Sequence, residues 1–149
     1  MARVATLPTL VDAVKALAHP GRLRMLAMLR GGDLCVCQMT AVLEQAASTV
    51  SSHLSDLRRA GIVTERKSGK WVHYHLVDVG PLAELVRQAL GLVHDDDRLK
   101  QDARVVDALR RIPLDTFCRT GFDRAAAGAP HTPPAKRPRS SPSTIGRRA

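Results

Sequence analysis

The sequence predicts a mainly α-helical fold with one small β-hairpin, and three observations carry that prediction. Apolar residues recur at helical spacing through most of residues 7–111. The stretch 62–77 alternates apolar and polar residues instead, around a turn candidate at Ser68-Gly69. Finally, two helical segments are separated only by Gln45-Ala46-Ala47, the short joint of a helix-turn-helix. A hairpin directly after such a pair makes a winged helix-turn-helix.

Taken in order, Leu7, Leu10, Val11, Val14, Leu17 and Ala18 form one stripe of a first helix, which His19-Pro20-Gly21 breaks. Pro20 suits the first position of a second helix, which Gly31-Gly32 stops. Arg22 and Arg24 project from its start, as phosphate contacts or as solvated charges. Asp33 is the expected N-cap of a third helix over about 35–44, with Val36, Met39 and Leu43 on its apolar side. A fourth runs from about Ser48 to Ala60, closed by Gly61 as a left-handed cap. Strands at 62–67 and 70–77 follow. Pro81 opens a fifth helix with a stripe of Leu82, Val86, Ala89, Leu90 and Val93, and a further helix spans about Arg98 to Arg111. The first and last helices offer more apolar surface than a small winged domain covers, so both chain ends are expected to build a dimer interface.

The fourth helix has the composition of a groove-reading element. Val50, Leu54 and Leu57 share one face, while Ser48, Ser52, Ser55 and Arg59 project opposite, flanked by Thr49 and Ser51. Serine is a mediocre helix former, and short hydroxyl side chains let a backbone approach phosphates and base edges. His53 lies beside the apolar face, as a packed histidine or as a reader. Arg66, Lys67 and Lys70 gather at the hairpin tip, where a basic wing would meet a phosphate backbone. His73 and His75 share a strand face; exposed strand positions explain them more simply than chelation.

Charge points the same way. The formal net charge is +9 and the pI about 10.5, a balance suited to a polyanion. Residues 1–118 are expected to fold as one DNA-binding and dimerisation domain. Residues 119–149, rich in basic residues, Pro, Ser and Ala, read as a disordered tail attracted to phosphates without sequence preference. No signal peptide and no membrane span is legible, so a cytoplasmic protein with reduced thiols is expected.

That leaves Cys35 and Cys37, one residue apart, and Cys118 far downstream. Thiolates select soft, thiophilic ions. A helix N-terminus is expected to lower their pKa. Residues i and i+2 of an ideal helix point about 200° apart, so a shared ion would require a loosened first turn. Such distortion would be a route from metal to recognition helix.

The assembled pattern resembles the ArsR/SmtB family of metal-responsive repressors, on Ala16-Leu-Ala-His-Pro-Gly-Arg-Leu-Arg-Met-Leu26, Asp33-Leu-Cys-Val-Cys-Gln-Met39, Ser48-Thr-Val-Ser-Ser-His-Leu-Ser-Asp-Leu57, Arg59-Ala-Gly-Ile-Val63 and the Lys70–Leu76 strand. It covers about residues 8–95. The resemblance implies a homodimer on double-stranded operator DNA that lets go when metal binds, in the arsenite-responsive manner. It places Cys35 and Cys37 in the sensor site. Where arsenite-responsive members commonly carry a third cysteine, this chain has Thr40, leaving Cys118 of the same chain or its mate. The cadmium version lacks its N-terminal cysteines here, and the zinc version finds only His94 with Asp95–Asp97.

The expected function is therefore a repressor released by As(III) or Sb(III) at Cys35, Cys37 and Cys118. Cadmium, mercury or thiol redox sensing on the same fold, and a metal-indifferent DNA-binding protein, are the alternatives. A single-strand binder would need aromatic platforms that four aromatic residues do not supply. No phosphate loop or nucleophile–base constellation suggests an enzyme.

Overall fold

The computed structural model describes residues 4–122. Helices α1 (Leu7–Leu17) and α2 (Pro20–Leu29) precede a two-residue strand β1 (Leu34–Cys35). Then come α3 (Val36–Leu43), α4 (Ala47–Arg59), the hairpin β2 (Val63–Ser68) and β3 (Trp71–Leu76), and finally α5 (Pro81–Leu92), α6 (Asp97–Arg110) and α7 (Leu114–Thr120). The three strands form an antiparallel sheet in the order β1-β3-β2. The predicted fold class is what the chain adopts: helices around one core, with a winged helix-turn-helix at its centre.

Local chemistry sets the boundaries. His19 caps α2 through Nδ1, which accepts from the Gly21 N–H at 3.0 Å, and Pro20 holds the first helical position. Helix α4 closes as foreseen at Gly61, whose φ of 77° is the left-handed conformation glycine tolerates. The Ile62 N–H reaches back to the Leu57 carbonyl at 3.0 Å and the Gly61 N–H to Arg58, a Schellman closure. That reversal sends the chain straight into β2.

The core is built from α2, α3, α4 and α6. Met25, Leu26, Met39, Val42, Val50, Leu54, Leu57 and Leu109 are all fully buried, and each large apolar side chain so buried contributes about 1.5–3 kcal/mol. Across this core, Arg24 makes a two-pronged ion pair to Asp102, with Nε to Oδ2 at 2.7 Å and Nη2 to Oδ1 at 2.8 Å. Asp102 is only 1% exposed, so this pair fastens α2 to α6 inside the protein. Arg24 is thus neither a solvated charge nor a free phosphate contact.

The structure corrects one expectation and adds detail to others. The turn of the hairpin is Gly69-Lys70, because Ser68 pairs with Trp71, so Lys70 sits at the tip itself. The apolar stripe of α1 faces outward: Ala13 and Ala16 are its buried residues, while Leu7, Leu10, Val11 and Val14 stay exposed. Helix α7 continues past residue 118 to Thr120, and its buried Phe117 anchors it to the core. The tail reading for 123–149 lies outside the described residues. Asp96 caps α6, accepting from the Arg98 and Leu99 N–H groups, and Asp95 pairs with Lys100. Among the described residues, no helix is long and apolar enough to cross a membrane.

Candidate thiol site and nucleic-acid interface

Asp33 does not cap α3. Cys35 does, with extended backbone angles of −90° and 166°, and its N–H donates to Gln38 Oε1 at 3.0 Å. The same residue is the second half of β1, in register with His73 of β3. The expected geometric conflict therefore disappears. With Cys35 outside the helix and Cys37 in its first turn, the i, i+2 divergence of an ideal helix does not apply. Their sulfurs lie 2.9 Å apart with α3 intact, so no unwinding is required to bring them together.

Cys118 completes the corner. Helix α7 carries it to within 3.3 Å of Cys37 Sγ, across 81 positions of sequence and within one chain. All three cysteines are free thiols; Cys35 is buried, Cys37 half-buried and Cys118 exposed. Thr40 stays out of the group, its hydroxyl donating to the Val36 carbonyl at 2.8 Å. Among the described residues no three His, Cys, Asp or Glu side chains stand ready as a metal cage. The thiols form a chain with Cys37 in the middle, and tetrahedral thiolate ligation with metal–sulfur bonds near 2.3 Å would open sulfur–sulfur distances to about 3.8 Å.

The electrostatics run opposite to expectation. Burial raises the Cys37 thiol above its ordinary pKa, and its contact with Cys35 raises it further. Cys118 is pushed up to about 11, first by lost solvation at the sulfur and then by Cys37. A helix N-terminus favours a thiolate, but at Cys37 burial favours the protonated form more.

The candidate nucleic-acid face is α4 and the wing. Ser48, Thr49, Ser51, Ser52, Ser55 and Arg59 are all exposed, on the side away from Val50, Leu54 and Leu57. His53 is half-buried instead. Its Nδ1 accepts from Arg22 Nε at 3.3 Å, and its ring packs against His19 with centroids 4.3 Å apart. Desolvation lowers its pKa, and the neighbouring His19 and Arg22 charges lower it further. Arg22 also binds Asp56 at 2.6 Å and the Ala16 carbonyl, so it ties α2 to α4 rather than projecting freely. On the wing, Arg66, Lys67 and Lys70 are exposed as expected. Arg66 pairs with Asp33 at 2.9 Å and Lys70 with Asp115 at 2.9 Å, while Lys70 also lies 5.0 Å from the Trp71 ring centroid. Sequence reading missed Asp33 and Asp115 as wing partners, because nothing local links residues so far apart. His75 meets Thr64 across the hairpin, and both His73 and His75 are half-buried rather than exposed.

Known proteins share this organisation. A family profile described as "Bacterial regulatory protein, arsR family" matches residues 19–65. The arsenic resistance transcriptional regulator ArsR1 of Pseudomonas putida is 48% identical over 63 residues, which is 42% of this chain and 49% of that protein. This chain thus spans about half the length of that relative. An HTH-type transcriptional regulator of Methanocaldococcus jannaschii is 35% identical over 99 residues, covering 66% of this chain and 91% of that one. A cadmium resistance transcriptional regulatory protein, CadC, of Listeria innocua is 30% identical over 73 residues, 48% of this chain and 61% of its own length. Among solved structures, HlyU from Vibrio cholerae superposes with a TM-score of 0.54 at 32% identity, over 59% of this chain and 95% of that one. A homodimeric winged helix-turn-helix DNA-binding domain from Mycobacterium bovis, a possible ArsR-family regulator, does so with 0.52 at 25% identity, over 60% and 87%. The fold and these relatives are those of transcriptional regulators, not enzymes. With the helix-turn-helix, the wing and relatives covered nearly end to end all agreeing, this chain belongs to the ArsR family of winged helix-turn-helix transcriptional regulators.

Proposed function

We propose that the chain is a homodimeric repressor that leaves its operator when trivalent arsenic or antimony binds Cys35, Cys37 and Cys118. The observation that carries this reading is Cys37 Sγ lying 2.9 Å from one thiol and 3.3 Å from another. Three soft donors at one corner suit a thiophilic centre. Raised thiol pKa values fit arsenous acid better than a divalent cation. Each As–S bond forms as one As–O bond breaks, and the thiol proton leaves with the departing hydroxide as water. Three thiols and As(OH)3 give As(SR)3 and three waters with no redox change and no net proton released. A divalent cation must instead expel the protons into solution. Binding would join α7 to the start of α3, and α3 packs directly on α4, the element that would read the major groove.

The test is release of a labelled fragment of the chain's own promoter from reduced protein, titrated with arsenite, antimonite, cadmium and zinc. Cys37→Ser, having lost the central sulfur, should need at least tenfold more arsenite. Cys35→Ser and Cys118→Ser should each weaken the response. Normal release from Cys37→Ser would dismiss the site, and stronger release by cadmium would make it a divalent-metal sensor.

The outward stripe of α1 and the exposed Leu92 at the end of α5 support the dimer. An apolar face of this kind costs about 25 cal/mol per Å² while it faces water. Val11→Asp should turn a sedimenting dimer into a monomer and weaken operator binding; a wild-type monomer at micromolar concentration would contradict the proposal.

A further inference from the structure

We propose that Asp33 and Asp115 are the positioning residues through which the thiol site governs the wing, each holding one wing cation that would otherwise meet a DNA phosphate. This rests on the thiol-site reading above. Asp33 lies two residues before Cys35, and its carboxylate takes Arg66 at 2.9 Å. Asp115 lies one helical turn before Cys118 on α7, and its carboxylate takes Lys70 at 2.9 Å. Both segments that supply the thiols therefore also supply an acid to the wing. A third tie is made by strand pairing: Leu34 and Cys35 pair with Tyr74 and His73 of β3, so the capping cysteine is part of the wing's own sheet.

These ion pairs do not serve to hold the fold. Lys70 and Asp115 are 70% and 73% exposed; Arg66 is 69% exposed, on an Asp33 that is 31% exposed. Pairs so wet contribute little to stability and exchange readily for another anion. A phosphate is such an anion, and a carboxylate beside the cation both takes one of its N–H donors and offsets the charge that attracts the phosphate. The state of α7 then decides the competition. Buried Phe117, with Phe122 6.0 Å away between ring centroids, fastens α7 to the core. A three-sulfur bridge adds a second fastening three residues from Asp115, which raises the local concentration of that carboxylate at the wing tip. Bridging the thiols thus keeps Lys70 and Arg66 occupied, and opening the bridge lets them turn to DNA.

Asp33→Asn, Asp115→Asn, the double variant and Asp115→Glu test this. Operator affinity is measured with and without arsenite over a range of salt, and arsenite occupancy separately, as protection of the three thiols from a thiol reagent. Protection should be the same in all variants. The ratio of operator affinities without and with arsenite should fall roughly fivefold for each aspartate neutralised. In the double variant the arsenite-bound form should show a salt dependence steeper by about 0.9 for each phosphate contact recovered. Asp115→Glu should restore the wild-type ratio. Full thiol protection with an unchanged ratio and salt slope in the double variant would overturn the proposal while leaving the thiol site standing. Failure of arsenite to protect the wild-type thiols would overturn both.

Discussion

The recognition helix and the wing follow one another in the chain but are held by different physics. Helix α4 is seated by Val50, Leu54 and Leu57, all fully buried, and by the part-buried Arg22–Asp56 pair beneath it. The hairpin buries Val63, packs Tyr74 and Leu76 of β3 against the core at its base and pairs with β1, but it exposes the rest of β2 and holds its outer part with ion pairs whose cations are exposed. Burial of that kind amounts to several kcal/mol, while exposed pairs contribute under about 1 kcal/mol each. A regulator built so keeps its reading head fixed and lets its wing respond. An effector with a coupling of only about 1–3 kcal/mol would shift the second region more readily than the first.

The strongest way to break the comparison is to attack the anchored half. Asp102→Ala would leave Arg24 without its partner, with the arginine side chain 15% exposed. Removing one member of a buried pair costs about 3–5 kcal/mol. The melting temperature should fall by roughly 10–20 °C, by differential scanning fluorimetry, with thiol reactivity of the surviving folded fraction unchanged. A drop of only a degree or two would mean that α2 and α6 are held by apolar packing alone.

How much of this was legible in the sequence follows the same division. The anchored elements announce themselves locally: Pro20 at a helix start, Gly61 at a helix end, and Val50, Leu54, Leu57 at helical spacing. The thiol corner does not. Cys35 reads as a helical residue because its neighbours are helical, yet pairing with β3 pulls it into a strand and makes it the cap. Asp33, freed from capping, finds Arg66. Cys118 could be named as the missing thiol only by elimination, and its approach to Cys37 depends on α7, a short helix with little periodicity to betray it. The outward turn of α1 shows the converse limit. Spacing identifies an apolar stripe but not whether the chain's own core or another surface covers it.

The smallest expected effect sharpens the comparison, because the recognition helix and the thiol corner beside the wing titrate from opposite ends of the pH scale. His53 under the recognition helix has its pKa lowered by desolvation and by His19 and Arg22, with Asp56 opposing them. The folded state therefore favours neutral imidazole. Its contribution is present above the unfolded value near 6.5 and is lost as pH falls through the lower folded value. Cys118 has its pKa raised to about 11 by lost solvation and by Cys37. The folded state there favours the protonated thiol, so its contribution is present below the ordinary thiol range and is lost as pH rises toward that value. A melting series across pH should show a shallow decline at each end. His53→Gln, which keeps an acceptor for Arg22, should flatten the acid side alone, and Cys118→Ser the alkaline side alone. If His53→Gln flattened neither, the histidine would be titrating as freely as one in solvent, and the recognition helix would be less firmly seated on α2 than its contacts imply.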